Sequence, residues 1–136
     1  MLNYISILML LSSISVIRGA DLPLREANEV KIQRYHLIAT NPEKRLAIRI
    51  SCADKLAKLH QLDLAAWVYN DILADARSET DLDWKILAAE GLDMCGVAYK
   101  GKAILVLMAV ATHATATEEQ KATARGILNE LQSSLK

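Results

Sequence analysis

Phenylalanine is absent from this chain of 136 residues, and two Trp and four Tyr bring the aromatics to only 4%. A sheet-based core would draw on aromatic and β-branched side chains, whereas many Ala and Leu suit closely packed helices. The scarcity therefore points to an all-α domain. Glycine is equally sparse, and Gly19, Gly91, Gly96, Gly101 and Gly126 never cluster, which excludes a phosphate-cradling glycine loop. Neither charge is in excess, since sixteen Lys and Arg face sixteen Asp and Glu. That balance gives no support to a general nucleic-acid or anionic-membrane partner. Nucleophile-elbow and zinc-protease motifs are missing as well. No catalytic residue, metal ligand or cofactor is nominated, and an enzyme ranks last among the function classes.

Cysteine is limited to Cys52 and Cys95, forty-three residues apart, which is no metal-ligand spacing. In an oxidising compartment the two permit one disulfide. Both also fall on the apolar faces of predicted helices, where a free thiol packs as a small hydrophobe. His36, His60 and His113 lie on three different segments without companion ligands. His60 and His113 stand near predicted helix C-termini, where an imidazolium interacts favourably with the dipole.

What is present begins with an apolar run from Tyr4 to Ile17. Its length suits a secretory signal peptide over residues 1–20 and falls short of the ~20 residues of a spanning helix. The run lacks a preceding Lys or Arg, and Arg18 precedes Ala20, so a retained anchor through residues 4–17 is the alternative. The expected location is exported, either periplasmic or secreted, in a bacterium, with no transmembrane span in the mature chain.

About five helices are expected after the leader, counted from Asn41 onward. Residues 21–41 form an N-terminal helix, about Leu24 to Ala39, or an extended arm, and residues 42–136 form a helical-hairpin domain. Asn41 and Pro42 open a helix running to about Gln61, with Leu46, Ile50, Ala53, Leu56, Ala57 and His60 as its stripe. Asp63 caps the next, Leu64 to Ala76, on Leu64, Ala65, Val68, Tyr69, Ile72 and Leu73. Thr80 with Asp83 opens a third to about Tyr99, with Leu87, Gly91, Met94, Cys95 and Ala98 on one side. Gly101 interrupts it before a fourth, Lys102 to His113, on Ala103, Leu107 and Val110, which leaves Leu105, Met108 and Ala109 in need of other cover. Thr117 with Gln120 is a capping box for a C-terminal capping helix on Ala124, Leu128, Leu131 and Leu135.

An offset of thirty-eight residues aligns Ala53-x2-Leu56 with Gly91-x2-Met94, and Ala65-x3-Tyr69 with Ala103-x3-Leu107. In both copies the small residue precedes the alanine of the following helix by twelve. Over about residues 49–115 this spacing resembles the tetratricopeptide repeat. The chain departs from that pattern at Arg49 and Leu87, where Trp is usual, and at Arg77 and Thr115, where Pro is usual; Gly96-x2-Tyr99 offers a competing frame. The resemblance implies antiparallel helix pairs that stack and leave an extended binding surface. A small up-down bundle is the other architecture consistent with short loops.

Function follows from the leader, the repeat-like spacing and the lack of catalytic clusters. The expectation is an exported protein-interaction module: a secretion or envelope-complex accessory, a chaperone, or an immunity-type protein. A carrier of lipid or a small apolar ligand is the alternative. Its partner would be another protein or a peptide, and a homodimer fits too. Candidate partner-binding residues are Trp67, Trp84 and Tyr99, as aromatic anchors, and Asp71 and Asp75 from the series Asp71, Asp75, Glu79, Asp81, Asp83. The basic set Lys31, Arg34, Lys44, Arg45 and Arg49 complements that series and would pair with it between protomers or with a partner.

Overall fold

The computed structural model describes residues 22–134, with side chains described from residue 27 onward. The expected signal peptide, Leu24's side chain and Leu135 lie outside the described residues. Within them the regular structure is entirely helical, in accord with the all-α expectation: α1 Leu22–Ala39, α2 Leu46–Lys58, α3 Leu62–Ala74, α4 Arg77–Thr80, α5 Asp83–Met94, α6 Val97–Ala111 and α7 Glu118–Ser133. None of these helices is long and apolar enough to cross a membrane.

Local chemistry sets the boundaries, and several differ from expectation. Residues up to Ala39 are helical, so the extended-arm alternative does not describe α1. Asn41 does not cap α2. Its carboxamide oxygen accepts the Glu43 amide at 3.0 Å, a turn that spends Pro42 outside the helix and moves its start to Leu46. At the far end, His60 lies past the helix with φ 62, so it is exposed and not on the buried stripe. Its amide donates to Ala57 at 3.0 Å and the Gln61 amide donates to Leu56 at 2.9 Å, the paired bonds of a Schellman motif, which usually places glycine where His60 stands.

Asp63 sits in the first turn of α3, after Gln61 as the capping residue, and its charge suits the helix N-terminus. The expected Thr80–Asp83 box is not formed. Thr80 closes α4 by donating to the Arg77 carbonyl, and Asp81 instead accepts the Asp83 amide at 3.0 Å. The chain breaks at Gly96, not at Gly101. Gly96 has φ 127, which side-chain-bearing residues rarely adopt, whereas Gly101 is an ordinary residue of α6. The Thr117–Gln120 box is present, with both of its bonds at 3.0 Å.

Each long helix packs on the next: α1 on α2, α2 on α3, α3 on α5, α5 on α6 and α6 on α7. Further contacts join α2 to α5 and α5 to α7. Hence α2, α5 and α7 form one row, and α1, α3 and α6 alternate with it on the other side. The core lies between the rows on Leu56, Val68, Ile72, Leu92, Leu107 and Val110. Each such aliphatic side chain contributes about 1.5–3 kcal/mol on burial. Small residues bring the helices close. A Cβ on Gly91 would lie 2.3 Å from Cζ of Tyr69, so only glycine lets α5 rest against that ring.

The apolar stripe assigned to α5 is shifted. Ile86, Ala88, Ala89, Gly91 and Leu92 are buried, while Leu87 and Met94 are exposed. On α6 Ala103, Leu107 and Val110 are buried as expected, but the C-terminal helix, the expected cover for the other side, does not reach it, and Leu105, Met108 and Ala109 remain exposed.

Candidate functional site

The acidic series is used inside the chain. Arg49 is 0% exposed, and it ties three elements together. Its Nε donates to the Ala39 carbonyl at 2.8 Å, a cation at the C-terminus of α1, and its Nη2 donates to Asp71 on α3. Nη1 lies 3.7 Å from Asp75 and makes no hydrogen bond. Asp75 also receives a two-pronged bond from Arg77, at 3.0 and 2.7 Å. Arg77 in turn binds the carbonyls of Lys44 and Pro42, which pins the loop before α2. The Arg77 fork, with its backbone amide and the more distant Arg49 charge, outweighs burial and holds the Asp75 carboxyl at about 2. Glu79 pairs with Lys85 at 2.6 Å, and Asp83 accepts from Gln120 at 3.1 Å. The expected pairing of basic and acidic sets is thus intramolecular where Arg49 meets Asp71.

The aromatic candidates do not converge. Trp67 is 54% exposed on α3. Trp84 is half-buried against the core. Tyr99 donates its hydroxyl to Asp63 at 2.9 Å, joining the start of α6 to the start of α3. Cys52 and Cys95 are free and buried, so the disulfide alternative is not realised in this structure. Burial raises both thiols; that of Cys95, near Asp63 and Asp54 as well, is pushed up to about 11.

A groove of about 220 Å³ opens between α2 and α5. Ile50, Asp54, Ala57 and Lys58 form one wall, and Leu87, Glu90, Gly91 and Met94 form the other. Its floor is Tyr69, which reaches from α3 and donates its hydroxyl to Asp54. Positions 87, 90 and 94 share one face of α5 at spacings of three and four, adjoining the buried face of Ile86, Ala89 and Leu92. Leu87 and Met94 are 43% and 70% exposed, a large apolar surface beside a polar one. Glu90 lies between two other carboxylates. Burial first, then Glu130 on α7 and Asp54 on α2, raise its carboxyl above the ordinary range.

A second, shallower depression of about 160 Å³ lies where α1 meets the end of α2, lined by Lys31, Tyr35, Lys55, Lys58 and Leu59. Lys55 sits 5.3 Å from the centre of the Tyr35 ring, a cation–π contact. Lys55 and Lys58 occupy the last turn of α2, where positive charge suits the helix dipole. Among the described residues no group of three or more His, Cys, Asp or Glu could hold a metal ion.

No family model, curated protein or solved structure matches the chain.

The groove residues Asp54, Leu87, Glu90 and Met94 were not among the sequence-derived candidates. Their signal was present in the interleaving of acidic and large apolar residues at helical spacing. It was masked because Leu87 and Met94 read as core when the α5 stripe was placed one position away from the buried face.

Proposed function

We propose that this chain is an exported protein-interaction module that holds a peptide or a partner protein in the groove between α2 and α5. The observation that carries the reading is the pair Leu87 and Met94, exposed two turns apart on one face of α5 above a floor made by the buried Tyr69. Leaving two large apolar side chains partly in water forgoes a share of the ~1.5–3 kcal/mol that full burial of each contributes, which a partner covering them would recover. The apolar run from Tyr4 to Ile17 supports export. We read the alternating helix rows as tetratricopeptide-like pairs, supported by the thirty-eight-residue offset and by the contacts of α2 with α5 and of α5 with α7. Such arrays present one row of helices to a ligand. Both depressions are smaller than the ~300–1,000 Å³ typical of small-molecule sites, which favours a protein or peptide over a lipid.

A photo-crosslinking residue at position 94, compared with one at Glu119, tests the reading in the native host. One protein adduct of defined mass from position 94 and none from position 119 is the expected result. An adduct of twice the chain's mass would identify the partner as a second copy. Crosslinking to lipid alone would replace the reading with the carrier alternative.

A further inference from the structure

We propose that the groove between α2 and α5 selects a cationic amphipathic segment, with a Lys or Arg side chain set against Glu90 and apolar side chains laid on Leu87 and Met94. This deepens the proposed function and rests on it. Asp54 from α2 and Glu90 from α5 line the groove, and Glu130 from α7, the next helix of the row, acts electrostatically on Glu90. Among the described residues none of the three is in an ion pair, although ten other acidic and basic side chains are ion-paired within the chain. The basic side chain lining the groove is Lys58, and Asp54 further accepts from the Tyr69 hydroxyl. The cleft therefore carries surplus negative charge beside apolar surface.

That surplus is held at a cost, because partial burial and mutual repulsion both disfavour the ionised Glu90. A cation brought by a partner would relieve both effects, whereas a carboxylate would add to them. Geometry adds a register. Neighbouring helices lie about 8–10 Å apart, and an extended chain advances about 3.3 Å per residue. A segment crossing the row would match one carboxylate with every third side chain.

The test uses fluorescein-labelled peptides of four Lys-Leu-Ser repeats and of four Glu-Leu-Ser repeats, titrated with the folded protein by fluorescence anisotropy. The Lys peptide is expected to bind and the Glu peptide to bind at least tenfold more weakly, a difference of about 1.4 kcal/mol. E90Q/E130Q, checked for native helicity by circular dichroism, is expected to lose about tenfold for the Lys peptide. E118Q/E119Q removes the same charge from the exposed start of α7 and is expected to change affinity less than about twofold. Equal losses in the two double variants would overturn the proposal, as would failure of the Lys peptide to bind. Equal affinity for both peptides, abolished by L87S/M94S, would overturn the charge selection yet leave the groove standing as a docking site. Binding indifferent to L87S/M94S would remove the groove itself.

Discussion

Neutralising both carboxylates that face Arg49, in Asp71→Asn/Asp75→Asn, is expected to destabilise the domain by about 3 kcal/mol. The guanidinium is fully enclosed, so its desolvation is compensated by those two acids and by the Ala39 carbonyl. Removing the partners of a buried ion costs ~3–5 kcal/mol. The lower end applies because the Asp71 side chain is 41% exposed and already screened by water. The same variant weakens the Arg77 fork, but that guanidinium is also 41% exposed and its pairing is screened by water, a small effect that Arg77→Gln isolates. Arg49→Met should be far milder. It fills the same space, needs no counter-charge and forfeits chiefly the bond to Ala39, ~1 kcal/mol. The triple variant should resemble Arg49→Met, so the effects are strongly non-additive. With a urea slope of ~1.5 kcal/mol/M, the midpoint falls by ~2 M in the double Asn variant and by less than ~1 M in Arg49→Met. An equal or larger loss in Arg49→Met would refute the reasoning, because the pair would then be a net attraction and not compensation for an enclosed charge.

Gly91→Ala should cost about 1–3 kcal/mol by forcing Tyr69 off its seat, and adding Tyr69→Leu should make the pair less damaging than the sum in thermal melts. His60→Gly should stabilise by ~0.5 kcal/mol, the left-handed strain relieved less the extra freedom of the unfolded chain; a lower melting temperature would contradict this. Because the folded carboxyl of Asp75 is depressed, its contribution is complete above the ordinary 3.8 and is lost as pH falls through about 2. After allowance for screening that amounts to ~1 kcal/mol, so stability in Asp75→Asn should fall less steeply with acid than in the parent. Neither Cys52 nor Cys95 should react with a thiol reagent in the native protein and both should react on unfolding, since burial disfavours the thiolate; fast labelling before unfolding would count against it.

Much of the helical plan was legible from residue order because it rests on local chemistry. The α7 start depends on two side chains three positions apart, and the buried face of α6 on a repeating run of Ala103, Leu107 and Val110. The break before α6 was misplaced because Lys100-Gly101-Lys102 is the more polar glycine site, while Gly96 is special only in its φ of 127, a conformation set by how α5 and α6 turn back on each other. The expectation that Arg49 pairs with another protomer or a partner fails because its acids lie twenty-two and twenty-six residues downstream in its own chain, where no local pattern connects them. For the same reason Asp71 and Asp75 looked available to a partner. Positions aligned by the thirty-eight-residue offset also differ in environment. Leu56 is buried where Met94 is exposed, and Arg49 is buried where Leu87 is exposed. Periodicity reports which residues share a face, but which face meets a neighbour depends on helices elsewhere in the chain.

The order of packing along the chain has a consequence for how the molecule moves. Its principal contacts join each helix to the next or the next but one, so few links span distant parts of the sequence. Opening can then begin at one end without disrupting the other. Fraying of α7 would bare α6 and an edge of α5 while α2 and α3 stay closed, and loss of α1 would leave the far end intact. The free energy of local opening should rise inward from both termini and peak where α3 meets α5, around Tyr69 and Gly91. The floor of the groove is thus expected to exchange more slowly than the rest of the described residues, while Glu130 stands on a terminal helix expected to open first.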